Sequence, residues 1–366
     1  MGMGSWERAV LALVVIAIVA VVVLVVGDSR ERLRRLALVS AGATAVLIVL
    51  GAYVRLADAG LGCPDWPGCY GQFTPSLAVD AIKAAELQSP HGPVSMPKAW
   101  KEMIHRYLAM LVGCLILAIA IGATRQRRTH PSNAPLAWTL VGAVVLQAAL
   151  GAWTVTWLLK PVIVTLHLLG GMTILALLVW YARRIAPERG GNTRAAVLRT
   201  PARVALAVLA IQIALGGWVS ANYAAAACGE LPLCQGLWLP PTDFDNGFHL
   251  VRELGKTAQG ANLPLPALTA IHITHRAFAL VVLAAFGWLI KRAWQVAGCR
   301  RLAAGLALAL LAQVALGVKV VWSMSVAHLE LASQLPAAAA HNAVAALLLV
   351  LTLLINFRAG SERRFG

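Results

Sequence analysis

Glutamate, histidine and arginine side chains occur together where an apolar stretch of the chain begins. Glu102, His105 and Arg106 immediately precede the apolar run 108–122. Glu102 and His105 are three positions apart, so in a helix they share one face. Ionisable groups at membrane depth are costly and usually functional, whereas anchoring at the lipid headgroups falls mostly to lysine and arginine. We therefore interpret this stretch as a candidate functional site, with anchoring of the helix end as the alternative.

A second histidine–arginine pair opens another apolar run later in the chain. His275 and Arg276 repeat the first pair 170 positions on, and His272 takes the place of the first glutamate. His167 and His341 lie about five residues into two further predicted helices that start from the same side. At ~1.5 Å rise per residue, these histidines and the first one would lie within roughly 10 Å of one membrane boundary.

Four histidines at matching depths favour haem chemistry. Two facing imidazoles in an apolar helical bundle suit a bis-histidine haem, because the flat apolar ring fits between helices. Zinc is a weaker alternative, since it would need more ligands per site and no cysteine lies nearby. Each histidine could instead be a hydrogen-bonded packing residue. Arg106 and Arg276 are candidates for binding haem propionates, with headgroup anchoring as the alternative.

Composition places these residues in a membrane protein. The chain has 366 residues, of which 60% are hydrophobic and 13% charged, and its mean hydropathy is +0.75. Such values exclude a soluble domain and indicate a polytopic membrane protein. The net charge of +16 does not indicate a nucleic-acid partner, because the basic residues lie in short loops between apolar runs.

Nine runs have the length of about 20 residues that a membrane-spanning helix needs. They are 9–27, 36–54, 103–124, 135–154, 162–182, 202–221, 269–290, 302–322 and 336–357. The first lacks a small-residue cleavage site after it and is predicted to be a retained helix. The basic loop 28–35 and the later basic loops are predicted to be cytoplasmic, so the long loops 55–101 and 222–268 face outward. A surface helix is predicted at 76–87.

The last eight predicted helices read as two copies of four. The matching features are Gly51 and Gly216, Cys63 and Cys228, Gln147 and Gln313, and the histidines. An even number of helices inserts both copies the same way up, which predicts a pseudo-twofold axis along the membrane normal. The predicted fold is therefore an all-α polytopic membrane protein with two tandem four-helix bundles and one extra N-terminal helix.

Two cysteine pairs lie in the predicted outward loops. Cys63 and Cys69 form one pair, and Cys228 and Cys234 the other, each with five residues between them. An oxidising compartment makes disulfides the default interpretation. A sharper alternative is a redox pair that passes electrons to or from the site, because an exposed short-loop disulfide can be labile.

These motifs together resemble the haem A synthase family. The resemblance rests on segments 51–56 and 60–69, the Glu-x-x-His-Arg motif at 102–106, the Gln-x-x-Leu-Gly repeats and the four histidines, and it covers about 36–357. The family oxidises a methyl substituent of haem O to a formyl group, giving haem A for cytochrome oxidase. The paired-cysteine loops resemble the bacterial type of the family, which has them in both copies.

The resemblance implies a role for each motif residue. His275 and His341 would ligate haem b in the C-terminal copy, His105 and His167 would face the substrate haem, and Glu102 would be the catalytic carboxylate. Haem O synthase, cytochrome oxidase assembly factors and membrane lipid are the expected partners, and a homo-oligomer is allowed. The expected location is the bacterial inner membrane, with the haem sites near the periplasmic side.

The implied organisation follows the repeat. Residues 1–35 would form the extra helix and a basic loop, and 185–201 and 359–366 would be a cytoplasmic linker and tail. The four-helix halves would be 36–184, with substrate haem, and 202–358, with haem b. Two other functions stay open: a dihaem electron-transfer protein that oxidises quinol, and a haem transporter. Glu102 in one copy only argues against the first, and Gly and Pro at helix ends argue against the second.

Overall fold

The structure is a computed structural model that describes residues 29–90, 92–129, 133–186, 193–325 and 331–360. Across these ranges the chain is mostly helical, and eight helices are long and apolar enough to cross a membrane. The predicted class, an all-α multi-pass membrane protein, is confirmed. The predicted span 9–27 lies outside the described residues, and the pseudo-twofold axis stays a prediction.

Ten α-helices follow one another in the described ranges. They are α1 (Ser29–Leu56), α2 (Val79–Gln88), α3 (Met96–Arg125), α4 (Asn133–Thr156), α5 (Pro161–Arg184), α6 (Arg199–Ala221), α7 (Phe244–Gly247), α8 (Leu265–Trp294), α9 (Arg300–Ser325) and α10 (Leu331–Gly360). Helices α2 and α7 are short and belong to the two long loops. The surface helix predicted at 76–87 corresponds to a 3-10 turn, Pro75–Leu77, followed by α2.

Several spanning helices start earlier than predicted. The predicted basic loop 28–35 is wrong for residues 29–35, which form the first turns of α1. Glu31 pairs there with Arg34 at 2.7 Å and Arg35 at 3.1 Å, and such pairs one turn apart support a helix. Helices α3 and α8 contain the predicted spans 103–124 and 269–290 and extend beyond their starts, because each helix begins with a proline in its first turn, where the missing N–H is tolerated.

Contacts divide the described residues into two compact units, the first within Met1–Leu159 and Gly170–Pro187 and the second within Lys160–Leu169 and Glu188–Gly366. In the first unit α3 packs against both α1 and α4. Ile116 and Ile119 of α3 are fully buried, and Gly122 lies so close to Leu33 that an added Cβ would be 2.6 Å from Leu33 Cδ2. This packing fixes the position of the helix that carries Glu102. The predicted boundaries of the two halves stay a prediction.

In the second unit four long helices close into a ring. Helix α6 packs against α8, α8 against α9, α9 against α10, and α10 against α6. Phe286 and Leu289 of α8 are fully buried, and Asn356 of α10 donates a 3.0 Å hydrogen bond to the Ala202 carbonyl of α6. Helices α8 and α10 therefore occupy diagonal corners of the bundle. Their side chains can meet across its centre, and these are the helices that carry His275 and His341.

Candidate functional site

Each unit has a disulfide-closed loop. Disulfides join Cys63 to Cys69 and Cys228 to Cys234, and the four cysteines are almost completely buried. The first disulfide belongs to an apolar cluster that includes Ile82 of α2. Helix α2 therefore packs against the buried disulfide, while Pro64, Trp66 and Pro67 of the loop are exposed.

An acidic residue inside each loop fixes the loop conformation. Asp65 accepts hydrogen bonds from the N–H groups of Tyr70 at 2.6 Å and Gly71 at 2.7 Å. Glu230, 165 positions later, accepts in the same way from Gly236. Both glycines have positive φ, 71° and 74°, a conformation that glycine adopts readily. These acids had no predicted role, although an acid two residues after the first cysteine of each pair was the available signal.

Glu102 and Arg106 hold the first loop on α3. Glu102 Oε1 pairs with Arg106 Nη2 at 2.5 Å, and Glu102 Oε2 accepts the Cys63 N–H at 2.9 Å. Arg106 Nη1 also donates to the main-chain carbonyls of Asp65, at 2.8 Å, and of Gly68. Glu102 is 5% exposed and Arg106 8%. The predicted catalytic carboxylate and the predicted propionate ligand are thus partners in one buried clamp.

His272 and Arg276 form the corresponding clamp in the second unit. Arg276 Nε donates to His272 Nε2 at 3.1 Å, so Nδ1 of the ring carries the proton and donates to the Ala224 carbonyl at 3.0 Å. Arg276 also donates to the carbonyls of Cys228 at 2.6 Å and Leu233 at 3.2 Å. The two copies therefore share the geometry of the clamp and differ in its charge, because a neutral imidazole replaces a carboxylate.

His275 and His341 each pack against a glycine of a neighbouring helix. A Cβ added to Gly216 of α6 would lie 3.1 Å from His275 Cε1, and one added to Gly317 of α9 would lie 3.3 Å from His341 Cε1. Both distances are tighter than ordinary van der Waals contact. The imidazoles thus occupy space that only glycine leaves free.

The ring nitrogens of these two histidines fit a haem. Gln313 Nε2 lies 3.1 Å from His341 Nε2, while Nδ1 of His341 and Nδ1 of His275 are buried without a hydrogen-bond partner among the described residues. A metal-binding imidazole has one nitrogen for the metal, and the other carries a proton that it donates to a protein group. With iron on Nδ1, the Nε2–H of His341 would donate to Gln313 Oε1, which a half-turn of the side-chain amide brings to the place of Gln313 Nε2. A zinc site has less support, since the described part of the chain contains no group of three histidine, cysteine or acidic side chains.

In the first unit, His105 packs against α1. A Cβ added to Gly51 would lie 2.9 Å from His105 Nε2, so this histidine also depends on a glycine. Gln147 of α4 packs on α5, where a Cβ on Gly170 would lie 2.1 Å from Gln147 Oε1. His167 lies six residues after the start of α5, in the segment Lys160–Leu169 that belongs to the second unit. Its pairing with His105 stays a prediction.

A buried arginine holds the second long loop. Arg252 donates to Asn222 Oδ1, and its guanidinium lies 5.6 Å from the centre of the Trp218 ring. Trp218 donates to the Gly247 carbonyl at 2.9 Å. Burial lowers the pKa of Arg252. Arg252 had no predicted role, because only the folded chain brings it against Trp218.

The fold and the site define a multi-pass helical membrane protein whose bundle histidines pack on glycines beside two disulfide-closed loops. Over residues 34–353 the sequence matches the COX15-CtaA family, described as cytochrome oxidase assembly protein. The chain belongs to this family.

Curated relatives carry a common name. A protein of Shewanella oneidensis named heme A synthase is 38% identical over 316 residues, covering 86% of this chain and 92% of the relative. Heme A synthase of Nitrosospira multiformis is 28% identical over 339 residues, covering 85% and 88%. Heme A synthase of Symbiobacterium thermophilum is 29% identical over 237 residues, covering 62% and 71%.

Proposed function

We propose that this protein is a haem A synthase, an oxidoreductase that converts the methyl substituent of haem O to the formyl group of haem A. Family membership and similarity to relatives named heme A synthase support this function. The observation that carries it is the difference in charge between the corresponding clamps of the two copies. A buried carboxylate, Glu102, stands one turn before His105 in the first copy, and His272 takes its place in the second.

Oxidation of the methyl group removes a proton and two electrons and leaves an electron-poor carbon beside the porphyrin. An external electron acceptor would take up these electrons. A carboxylate at that edge would stabilise the developing positive charge or accept the proton, and it acts more strongly in a low-dielectric site than in water. Arg106 and the Cys63 N–H hold both oxygens of Glu102. The carboxylate is therefore oriented before substrate binds, and Arg106 acts as its positioning residue.

The second unit would hold haem b through His275 and His341. The diagonal helices, the glycines beside each ring and the buried nitrogens without partners support this assignment. Haem b bound there would supply one-electron transfer. His105 and His167 would face haem O, as the family resemblance implies. Arg106 and Arg276 could still bind propionates, because a guanidinium has five N–H donors and the loop carbonyls do not use all of them.

The cellular setting follows from the same assignment. The chain is a multi-pass membrane protein, and its basic loops would face the cytoplasm of a bacterium. The haem sites would then lie near the periplasmic side of the inner membrane. Haem O synthase would supply the substrate, and cytochrome oxidase assembly would take the product.

Extracted haems test this function directly. Expressed in cells that make haem O but lack their own haem A synthase, this chain should cause haem A to appear in acid–acetone extracts. The purified protein should show haem b by its pyridine haemochrome spectrum, and His275→Ala or His341→Ala should remove it, whereas His249→Ala, at an exposed loop position, should not. Bound haem b without haem A formation would favour the dihaem electron-transfer protein.

A further inference from the structure

A Gln-x-x-Leu-Gly sequence occurs on three spanning helices and is altered on a fourth. The three are Gln147–Gly151 on α4, Gln212–Gly216 on α6 and Gln313–Gly317 on α9; on α1 the corresponding segment runs from Leu47 to Gly51. Each of these helices precedes a histidine-bearing helix in the chain. The first and last residues of the motif are four apart, so they lie on one helical face.

In the second unit both motifs contact a histidine in two places. The glycines lie against the imidazoles of His275 and His341. One turn away, Gln212 Nε2 donates to the His275 carbonyl at 3.1 Å and Gln313 Nε2 lies 3.1 Å from His341 Nε2. The amide oxygens of both glutamines are buried, without a hydrogen-bond partner among the described residues. Glycine leaves space for the ring, and glutamine adds a polar contact.

On α1 of the first unit the glycine contact is present but the amide is not, whereas α4 of the same unit keeps its glutamine, Gln147. Gly51 lies against His105 as Gly216 lies against His275. Leu47 occupies the position of Gln212 and has no polar atom in its side chain. The amide contact that Gln212 makes to the helix of His275 therefore has no counterpart from Leu47 toward His105.

We propose that Gln212 and Gln313 are positioning residues that retain the haem of the second unit, and that Leu47 in place of glutamine keeps the haem of the first unit exchangeable. This rests on the proposed function, in which one haem is a resident cofactor and the other is substrate and product. A hydrogen bond to the ring of a metal-binding histidine typically changes metal affinity 10–100-fold, and Gln313 is in the place to make one. Gln212 bonds the main-chain carbonyl of His275 and so holds the helical turn that carries the ring. A cofactor must survive many turnovers, whereas a product must leave, so unequal retention suits the two sites.

Haem transfer to an apoglobin scavenger measures retention in the purified, haem-loaded protein. Gln313→Leu should lose haem b about 10–100-fold faster than the unmodified chain. Gln212→Leu, which removes a main-chain contact, should also lose haem b faster, by a smaller factor. Gln313→Leu should also change the low-spin electron paramagnetic resonance signal, which reports imidazole orientation. Gln295→Leu, at the exposed end of α8, is the matched control and should change neither. Wild-type loss rates and signals in both motif variants would overturn the proposal.

The reciprocal variant tests the first unit. Leu47→Gln should raise the total haem per purified chain and slow the transfer of haem A to the scavenger. Unchanged haem content and transfer would contradict the role of Leu47.

A second variant applies if Gln313→Leu holds no haem. Gln313→Glu, which can still accept from a ring N–H, should then restore part of the haem binding. Equal loss of haem in both Gln313 variants would overturn the positioning role. A failure of the proposed function is distinguishable, because the unmodified chain would then lack haem b or make no haem A.

Discussion

Glu102 and Arg106 form a buried ion pair 2.5 Å long, one helical turn apart, and together they hold the Cys63–Cys69 loop on α3. The same two positions in the second unit are His272 and Arg276, and they hold their own disulfide loop through the same kinds of main-chain contact. Loop anchoring is therefore common to both copies. The negative charge at Glu102 is the feature that only one copy has.

Glu102→Gln removes the negative charge of the side chain and keeps its size, so it tests the charge. Glutamine retains one oxygen for Arg106 and loses the acceptor for the Cys63 N–H, which should weaken the first loop slightly. We expect insertion, overall folding and haem b content to be preserved. Haem A output should fall on the order of a hundredfold or more, the effect typical of one electrostatic catalytic group. Haem extraction from cells lacking the native enzyme measures it. Glu31→Gln, which changes another arginine-paired carboxylate at the start of α1, is the control. Near-normal haem A output from Glu102→Gln would contradict a catalytic role and would mean that Glu102 only anchors the loop.

Replacing Arg106 and replacing Arg276 should lower the stability of their loops by different amounts. Arg106→Gln leaves a buried carboxylate unpaired, which costs about 3–5 kcal/mol in comparable sites. Arg276→Gln leaves a neutral imidazole and lost hydrogen bonds, a cost of about 1–3 kcal/mol. Protease cleavage in the two loops, followed against denaturant in detergent, compares the variants. Adding Glu102→Gln to Arg106→Gln should recover part of the stability, and the absence of recovery would show that the pair is not coupled.

The two disulfides should form independently in protein prepared without reductant. Mass spectrometry should find Cys63 linked to Cys69 and Cys228 linked to Cys234. Each bond closes a loop with a sequence separation of 6. Loop-closure entropy then predicts that Cys69→Ser lowers the stability of the first loop by about 2 kcal/mol. Free thiols at all four positions, or crossed pairs, would contradict the assignment.

Glycine beside each imidazole should be required for haem binding in the second unit. Gly216→Ala places a Cβ 3.1 Å from His275 Cε1, and Gly317→Ala places one 3.3 Å from His341 Cε1. We expect either ring to shift, with a weakened or altered low-spin haem b spectrum. Gly287→Ala is the matched control, because nothing lies within 4 Å of its added Cβ. Unmodified low-spin haem b spectra in both Gly216→Ala and Gly317→Ala would contradict the prediction that haem binding requires glycine at these positions.

Apolar run lengths and repeated motifs determined the fold class from the sequence alone. The eight described spans lie where the sequence places them, because about 20 apolar residues are sufficient for a membrane helix. The helix ends were less predictable. Polar residues at 29–35 and 96–102 suggest loops, but ion pairs near Glu31 and a proline in the first turn of α3 allow the helix to start there.

The sequence also singled out Glu102, the histidines and the cysteine pairs, because their types and repeat spacing are visible without a structure. The tertiary structure alone decided their partners. Glu102 meets the Cys63 N–H from 39 positions away, and Gln212 meets the His275 carbonyl from 63. Helical periodicity relates residues three or four apart, and it carries no information about contacts between helices. Those contacts depend on which helices become neighbours and on where a glycine lets a ring approach, and both are settled only when the bundle packs.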